Sequence, residues 1–123
     1  CYPTGHGTVG GAAITFLKFF FDENFVIPNP MVPTNDGLSL VPYTGPDAGQ
    51  ITVLGELHKV MSNVSFGHGI HSAIHWRKST YNSNLLGEAM AISMLQDRAK
   101  TYNEKFTVTF TKLDRTKQTI TNQ

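Results

Sequence analysis

A single cysteine, Cys1, stands in the whole chain, which excludes an intrachain disulfide. One thiol can pair only with another chain, and it does not fix a redox compartment. No run of about 18 apolar residues occurs, the length a membrane-spanning helix needs. The longest apolar stretch, Ala12 to Phe21, is too short and is broken by Lys18. An excess of either charge is also missing: the formal net charge is +1, so the total gives no strong pull toward nucleic acid or a membrane surface. Internal repeats and low-complexity segments are lacking, and no secretory-leader pattern is expected. With no initiator methionine, the chain is expected to be a processed, excised or truncated one.

What remains is 123 residues with an apolar fraction of 40%, enough for one small domain with a core of its own. The first element is expected to be a helix from about Thr8 to Asp22. Phe16, Leu17, Phe20 and Phe21 give it an apolar stripe, and Gly10 and Gly11 permit close approach of a neighbour despite their low helix propensity. Residues 24–46 hold every proline except Pro3 and predict a long connection, with a short strand at Leu38–Val41. Asp47 is a good N-cap for a second helix. Along it Val53, Leu54, Leu57, Met61 and Val64 recur at spacings of three and four, and it should end or kink near Gly67 and Gly69. A third, centrally buried helix is predicted from about Asn84 to Tyr102. The tail changes period: Phe106, Val108 and Phe110 alternate with threonines, Asp114-Arg115-Thr116 forms a turn, and Thr119–Thr121 returns as a strand.

Two clusters carry chemistry. The opening run Tyr2-Pro3-Thr4-Gly5-His6-Gly7 leads straight into the first helix. Amides at a helix start lack internal partners and sit at the positive end of the helix dipole, so they suit an oxyanion. Thr4 adds a hydroxyl donor and His6 a titratable ring. The second cluster is His68-Gly69-Ile70-His71-Ser72-Ala73-Ile74-His75. On one continuous helical face its three histidines would suit zinc; hydrogen-bonded interior or interface histidines are the plainer alternative, and the glycines argue against a continuous helix. His75 is followed by Trp76, Arg77, Lys78, Ser79 and Thr80, cations and hydroxyls that suit an anionic ligand. The late cluster Arg98, Lys100, Lys105, Lys112, Arg115 and Lys117 reads as a solvated surface or a docking surface.

Taken together, Tyr2-Pro3-Thr4-Gly5-His6-Gly7-Thr8-Val9-Gly10-Gly11-Ala12, Asn63-Val64-Ser65-Phe66-Gly67, Ile74-His75-Trp76-Arg77 and Leu85-Leu86-Gly87-Glu88 resemble the C-terminal part of the algal-type vanadium-dependent bromoperoxidases. That family lies within the vanadium haloperoxidase and type 2 phosphatidic acid phosphatase superfamily. The resemblance implies a mainly α fold, the helical core of a vanadium haloperoxidase-like bundle with a small C-terminal β-hairpin. It implies one vanadate as cofactor, with hydrogen peroxide and a halide, bromide, as substrates. Thr4, Gly5 and His6 fall on the family's serine, glycine and histidine that meet the oxyanion, and His75 on the histidine bonded to vanadium. His6 and His75 are then the catalytic pair, His6 serving as general base and then acid.

The pattern departs from the family at identifiable slots. Thr4 replaces serine. The arginine slot, six residues before His75, holds Gly69; with an insertion His68 takes that place, and Arg77 or Lys78 compensates for charge. The aspartate slot four residues after the histidine holds Ser79. The family's lysine and arginine that neutralise the ion lie upstream of residue 1. Residues 1–123 are therefore expected to be a single C-terminal haloperoxidase-like domain lacking the N-terminal half of its site. Such a chain needs that half, other subunits of a homo-oligomer, or both. Two other functions compete: an acid phosphatase-like phosphohydrolase with His75 as nucleophile and His6 as acid, and a non-catalytic oligomerisation module burying its aromatic stripe against other subunits.

Overall fold

The computed structural model describes residues 1–123. Its elements in chain order are α1 (Gly5–Phe20), β1 (Met31–Pro33), β2 (Leu40–Pro42), a 3₁₀ turn (Ala48–Gln50), α2 (Val53–Ser62), a π-helical segment (Asn63–His71), α3 (Arg77–Ala99), β3 (Thr107–Thr111) and β4 (Lys117–Thr121). The mainly helical architecture with a closing hairpin is as expected from the sequence. No helix is long and apolar enough to cross a membrane.

The crossing of α1 and α3 organises the molecule, and glycine makes it. A Cβ on Gly11 would strike the backbone of Asn84, and one on Gly87 would strike the backbone of Thr8. The two backbones therefore lie against each other with no side chain between them. On α1 the buried face is Gly7, Gly10, Gly11, Ile14, Thr15 and Lys18. The expected apolar stripe is split: Phe16 packs against the core, while Leu17, Phe20 and Phe21 face outward, Phe20 being 67% and Phe21 57% exposed. Close backbone approach has selected the small-residue face over the aromatic one. α3 likewise buries a single stripe, Thr80, Ser83, Asn84, Gly87, Glu88, Ala91, Leu95 and Ala99, at helical spacing. Met90 and Met94 on its far side are exposed, so α3 is not buried all round. It also begins at Arg77, seven residues before the expected start.

The apolar core lies at the other end of this crossing. Leu95 and Ala99 of α3 meet Phe110 and Ile120 of the C-terminal hairpin, with Phe16, Phe19, Ile92, Phe106 and Val108 packed around them. Strands β3 and β4 pair antiparallel, Val108 opposite Ile120 and Phe110 opposite Gln118. Their turn follows the expected residues: the Asp114 carboxylate accepts from the Thr116 amide at 2.9 Å and from its hydroxyl at 2.6 Å. These bonds hold Asp114 at a pKa of about 2.

A buried ionic network fastens α1 to α3 and the hairpin. Lys18, 1% exposed, donates to the Thr111 carbonyl at 2.7 Å and pairs with buried Glu88 at 3.5 Å; Glu88 in turn accepts from the Leu113 amide at 2.8 Å. Burial lowers the Lys18 pKa against the opposing pull of Glu88. Glu23, just past α1, accepts from the Thr111 amide and hydroxyl and from Lys117 Nζ at 3.0 Å. Burial alone would raise its pKa, but the Thr111 and Lys117 bonds together hold it below the usual value.

Several local expectations change. Residues 31–42 form a proline-flanked hairpin, β1 with β2, in place of a lone strand at Leu38–Val41. Asp47 caps only the 3₁₀ turn and makes no side-chain cap bond. The true N-cap of α2 is Thr52, whose hydroxyl accepts from the Gly55 amide. Gly67 and Gly69 do not end the helix; it widens into the π form and continues through His71. In the late basic cluster, Lys100, Lys112 and Lys117 are paired with Asp97, Asp114 and Glu23.

Two outcomes follow from this packing. Gly11→Ala gains about 1 kcal/mol of helix propensity but forces a methyl into the Asn84 backbone, an overpacking cost of about 1–3 kcal/mol or more. The variant will melt below wild type, whereas Gly67→Ala, whose Cβ meets nothing within 4 Å, will not fall with it. Glu23 has a folded pKa below its unfolded one, so its contribution is full above the unfolded value and is lost as pH falls through the folded value. Denaturant midpoints measured down to about pH 3 will therefore fall in wild type and fall less steeply in Glu23→Gln.

Candidate functional site

The first turn of α1 is built around Thr4. Its hydroxyl oxygen accepts from the Gly7 amide at 3.1 Å, its carbonyl accepts from the Thr8 amide and hydroxyl, and its own amide donates to Ser83 Oγ of α3 at 2.8 Å. Thr4 is 1% exposed. Its oxygen is thus engaged as the helix cap, and what it still offers a ligand is one hydroxyl proton. The amides of Gly5 and His6 precede the first helical hydrogen bond and have no helical acceptor. Both residues are exposed and, with Val9 and Val64, line a shallow cavity of about 320 Å³.

The π-helical segment brings the second cluster to this turn. The rings of His6 and His68 lie against each other with centroids 4.1 Å apart and planes tilted by 36°. The Gly69 carbonyl accepts from the amides of both Ile74 and His75, folding the chain back before α3. A Cβ on Gly69 would meet the His75 ring at 3.4 Å and Thr80 Oγ1 at 3.5 Å; a Cβ on Gly7 would meet the Thr80 carbonyl at 3.1 Å. Thr80 therefore sits between the first turn of α1 and His75. Thr4, Gly5, His6, His68 and His75 share one end of the α1–α3 crossing.

The other expected residues lie elsewhere. The Arg77 guanidinium stacks over the Phe66 ring at 6.0 Å and lines a separate cavity with Lys78 and Tyr81. Ser79 Oγ accepts from Cys1 Sγ at 3.5 Å, so it faces the N-terminus. His71 is exposed, and no group of three or more His, Cys, Asp or Glu side chains converges to hold a metal ion, so the zinc alternative finds no ligand set. Thr80 was not singled out as a site residue from the sequence. Its signal was only its place five residues after His75, among other hydroxyls.

The donor set fits one side of a tetrahedral oxyanion. His75 Nδ1 is buried and has no hydrogen-bond partner, while Nε2 is neither sealed nor bonded. The Gly5 and His6 amides supply neutral donors at a positive helix end. No permanent cation stands among these residues.

No protein-family model matches the chain. In sequence it is 37% identical over 115 residues to the vanadium-dependent bromoperoxidase of Corallina officinalis, covering 94% of this chain and 19% of that protein. It is 34% identical over 112 residues to that of Ascophyllum nodosum, again covering 19% of it. In fold it superposes on the homohexameric second vanadate-dependent bromoperoxidase of Ascophyllum nodosum with a TM-score of 0.83 at 28% identity, covering 98% of this chain and 24% of that one. The chain thus spans about a fifth of the length of the curated relatives it matches. By sequence and by fold the chain is similar to one segment of the vanadium-dependent bromoperoxidases.

Proposed function

We propose that this chain supplies the histidine-bearing half of a vanadate site in a bromoperoxidase that uses hydrogen peroxide to oxidise bromide to hypobromous acid. The observation that supports it is the company His75 keeps. An imidazole with one sealed nitrogen and one accessible nitrogen stands at the same end of the helix crossing as two unpaired amides and a second imidazole.

In this reading His75 holds the ion through Nε2, and the Gly5 amide and Thr4 hydroxyl proton donate to its oxygens. Bound vanadate supplies Lewis acidity that polarises peroxide. His6 takes the proton of incoming hydrogen peroxide at its ring and returns it later. His68, whose ring lies against that of His6, takes the place of the family's arginine. A neutral imidazole does not replace a guanidinium's fixed charge. Arg77, held on Phe66, points to a supporting role in packing. Compensation for an anion of charge about −2 to −3 then comes from outside these residues, because an unpaired buried charge costs several kcal/mol. An N-terminal half of the domain, or neighbouring subunits of a homo-oligomer, supplies it.

Vanadium-51 NMR titration of the isolated chain will show weak binding that His75→Ala lowers by at least about tenfold. Tight binding without any partner overturns the half-site reading, and binding indifferent to His75→Ala overturns the assignment of the ligand. With the complementary half supplied, bromide-dependent oxidation of a phenol dye will appear; hydrolysis of a phosphate ester in its place identifies a phosphohydrolase.

A further inference from the structure

Five buried polar side-chain atoms have no hydrogen-bond partner: His58 Nε2, Ser65 Oγ, His75 Nδ1, Thr80 Oγ1 and Asn84 Oδ1. Two of them belong to residues that border one space, the space over Gly69. The space over Gly69, which a Cβ would fill, is bounded by His75 Cδ2 at 3.4 Å, His75 Cβ at 3.5 Å and Thr80 Oγ1 at 3.5 Å. Thr80 is fully buried, so water does not reach its hydroxyl. Leaving both atoms unpaired costs about 1–3 kcal/mol each.

The Cδ2 edge of the ring borders this space, and Nδ1 lies on the opposite edge of the same five-membered ring. A half-turn about χ2 exchanges Nδ1 with Cδ2, and Nε2 with Cε1, while the ring keeps its outline. That turn carries Nδ1 to the Thr80 side of the ring. One rotation thus turns the orphaned ring nitrogen to the edge that borders the same space as the orphaned hydroxyl. Ser79, in the slot where the family carries an aspartate, is turned toward Cys1 and is not available for this.

We propose that Thr80 is the positioning residue of His75, accepting the Nδ1 proton on its hydroxyl oxygen. Nε2 is then left with its lone pair, the form in which an imidazole can act as a ligand. Gly69 is part of the device: its two accepted amide bonds fix the backbone of residue 75, and its missing side chain keeps Thr80 and the ring in reach of each other. What Nε2 meets rests on the vanadate reading above; the pairing of Thr80 with His75 does not.

The test reads the ring tautomer in the vanadate-free chain. With nitrogen-15-labelled histidine at about pH 8.5, where free imidazole is neutral, long-range nitrogen–proton spectra will show His75 mainly as the Nδ1–H form. Thr80→Ser keeps that pattern, and Thr80→Val shifts the ratio toward Nε2–H by about fivefold, the loss of one hydrogen bond. Unmoved His75 shifts in a folded Thr80→Val overturn the proposal. Should that variant fail to fold, wild type and Thr80→Ser decide: a dominant Nε2–H form in either overturns it. Vanadate titrated into the same samples separates the two ideas. A tautomer shift in Thr80→Val with no vanadate binding by any sample sinks the half-site reading and leaves the role of Thr80 standing.

Discussion

Everything in this molecule depends on two helix backbones touching. Where α1 crosses α3, glycines at positions 7, 11 and 87 remove the side chains that would hold helices apart. The contact fixes rotation as well as distance, because only one face of each helix is small enough to enter it. Thr4 is thereby placed over Ser83, Thr80 beneath the first turn of α1, and Lys18 opposite Glu88. The two histidine motifs are far apart in the chain and meet because this crossing brings residue 7 against residues 80 and 83.

The same geometry explains why charges lie inside. Lys18 is on the face that must turn inward, one helical turn beyond Ile14, so its amine enters the protein with that face. A lone buried ammonium would be untenable; Glu88 and the Thr111 carbonyl make it tolerable. Such pairs add little net stability compared with apolar substitutes, yet removing one partner typically costs about 3–5 kcal/mol. The network ties the hairpin down at one place: Thr111 meets Lys18 and Glu23, and Leu113 meets Glu88.

Much of this was legible in the sequence, for physical reasons that can be named. The opening hydroxyl-glycine-histidine run sits at a helix start because a capping threonine followed by helix-compatible residues admits little else, although α1 begins at Gly5 and not at Thr8. The alternating threonines of the tail gave a strand period, and Thr107 with Thr121 and Thr109 with Thr119 now pair across the outer face of the hairpin. The inward face of α1 was misjudged because hydrophobicity was weighed without closeness: aromatic rings bury more area, but only glycines allow the contact that α3 makes. The π-helical stretch escaped for a related reason. Gly67 and Gly69 read as breakers in isolation, while packing against α1 carries the helix through them. The early start of α3 at Arg77 was hidden by polar residues whose buried members, Thr80, Ser83 and Asn84, face the crossing and not the apolar core.

Lys18 also gives the fold a clock. Its amine is shut away from solvent between α1, α3 and the hairpin, while Lys59, Lys78, Lys100 and Lys105 stand on the surface. An acylating reagent added to the folded chain meets the surface amines at once and meets Lys18 only when the hairpin lifts from α1. The lag between the two labelling phases then reports how readily that opening occurs, with no engineered probe.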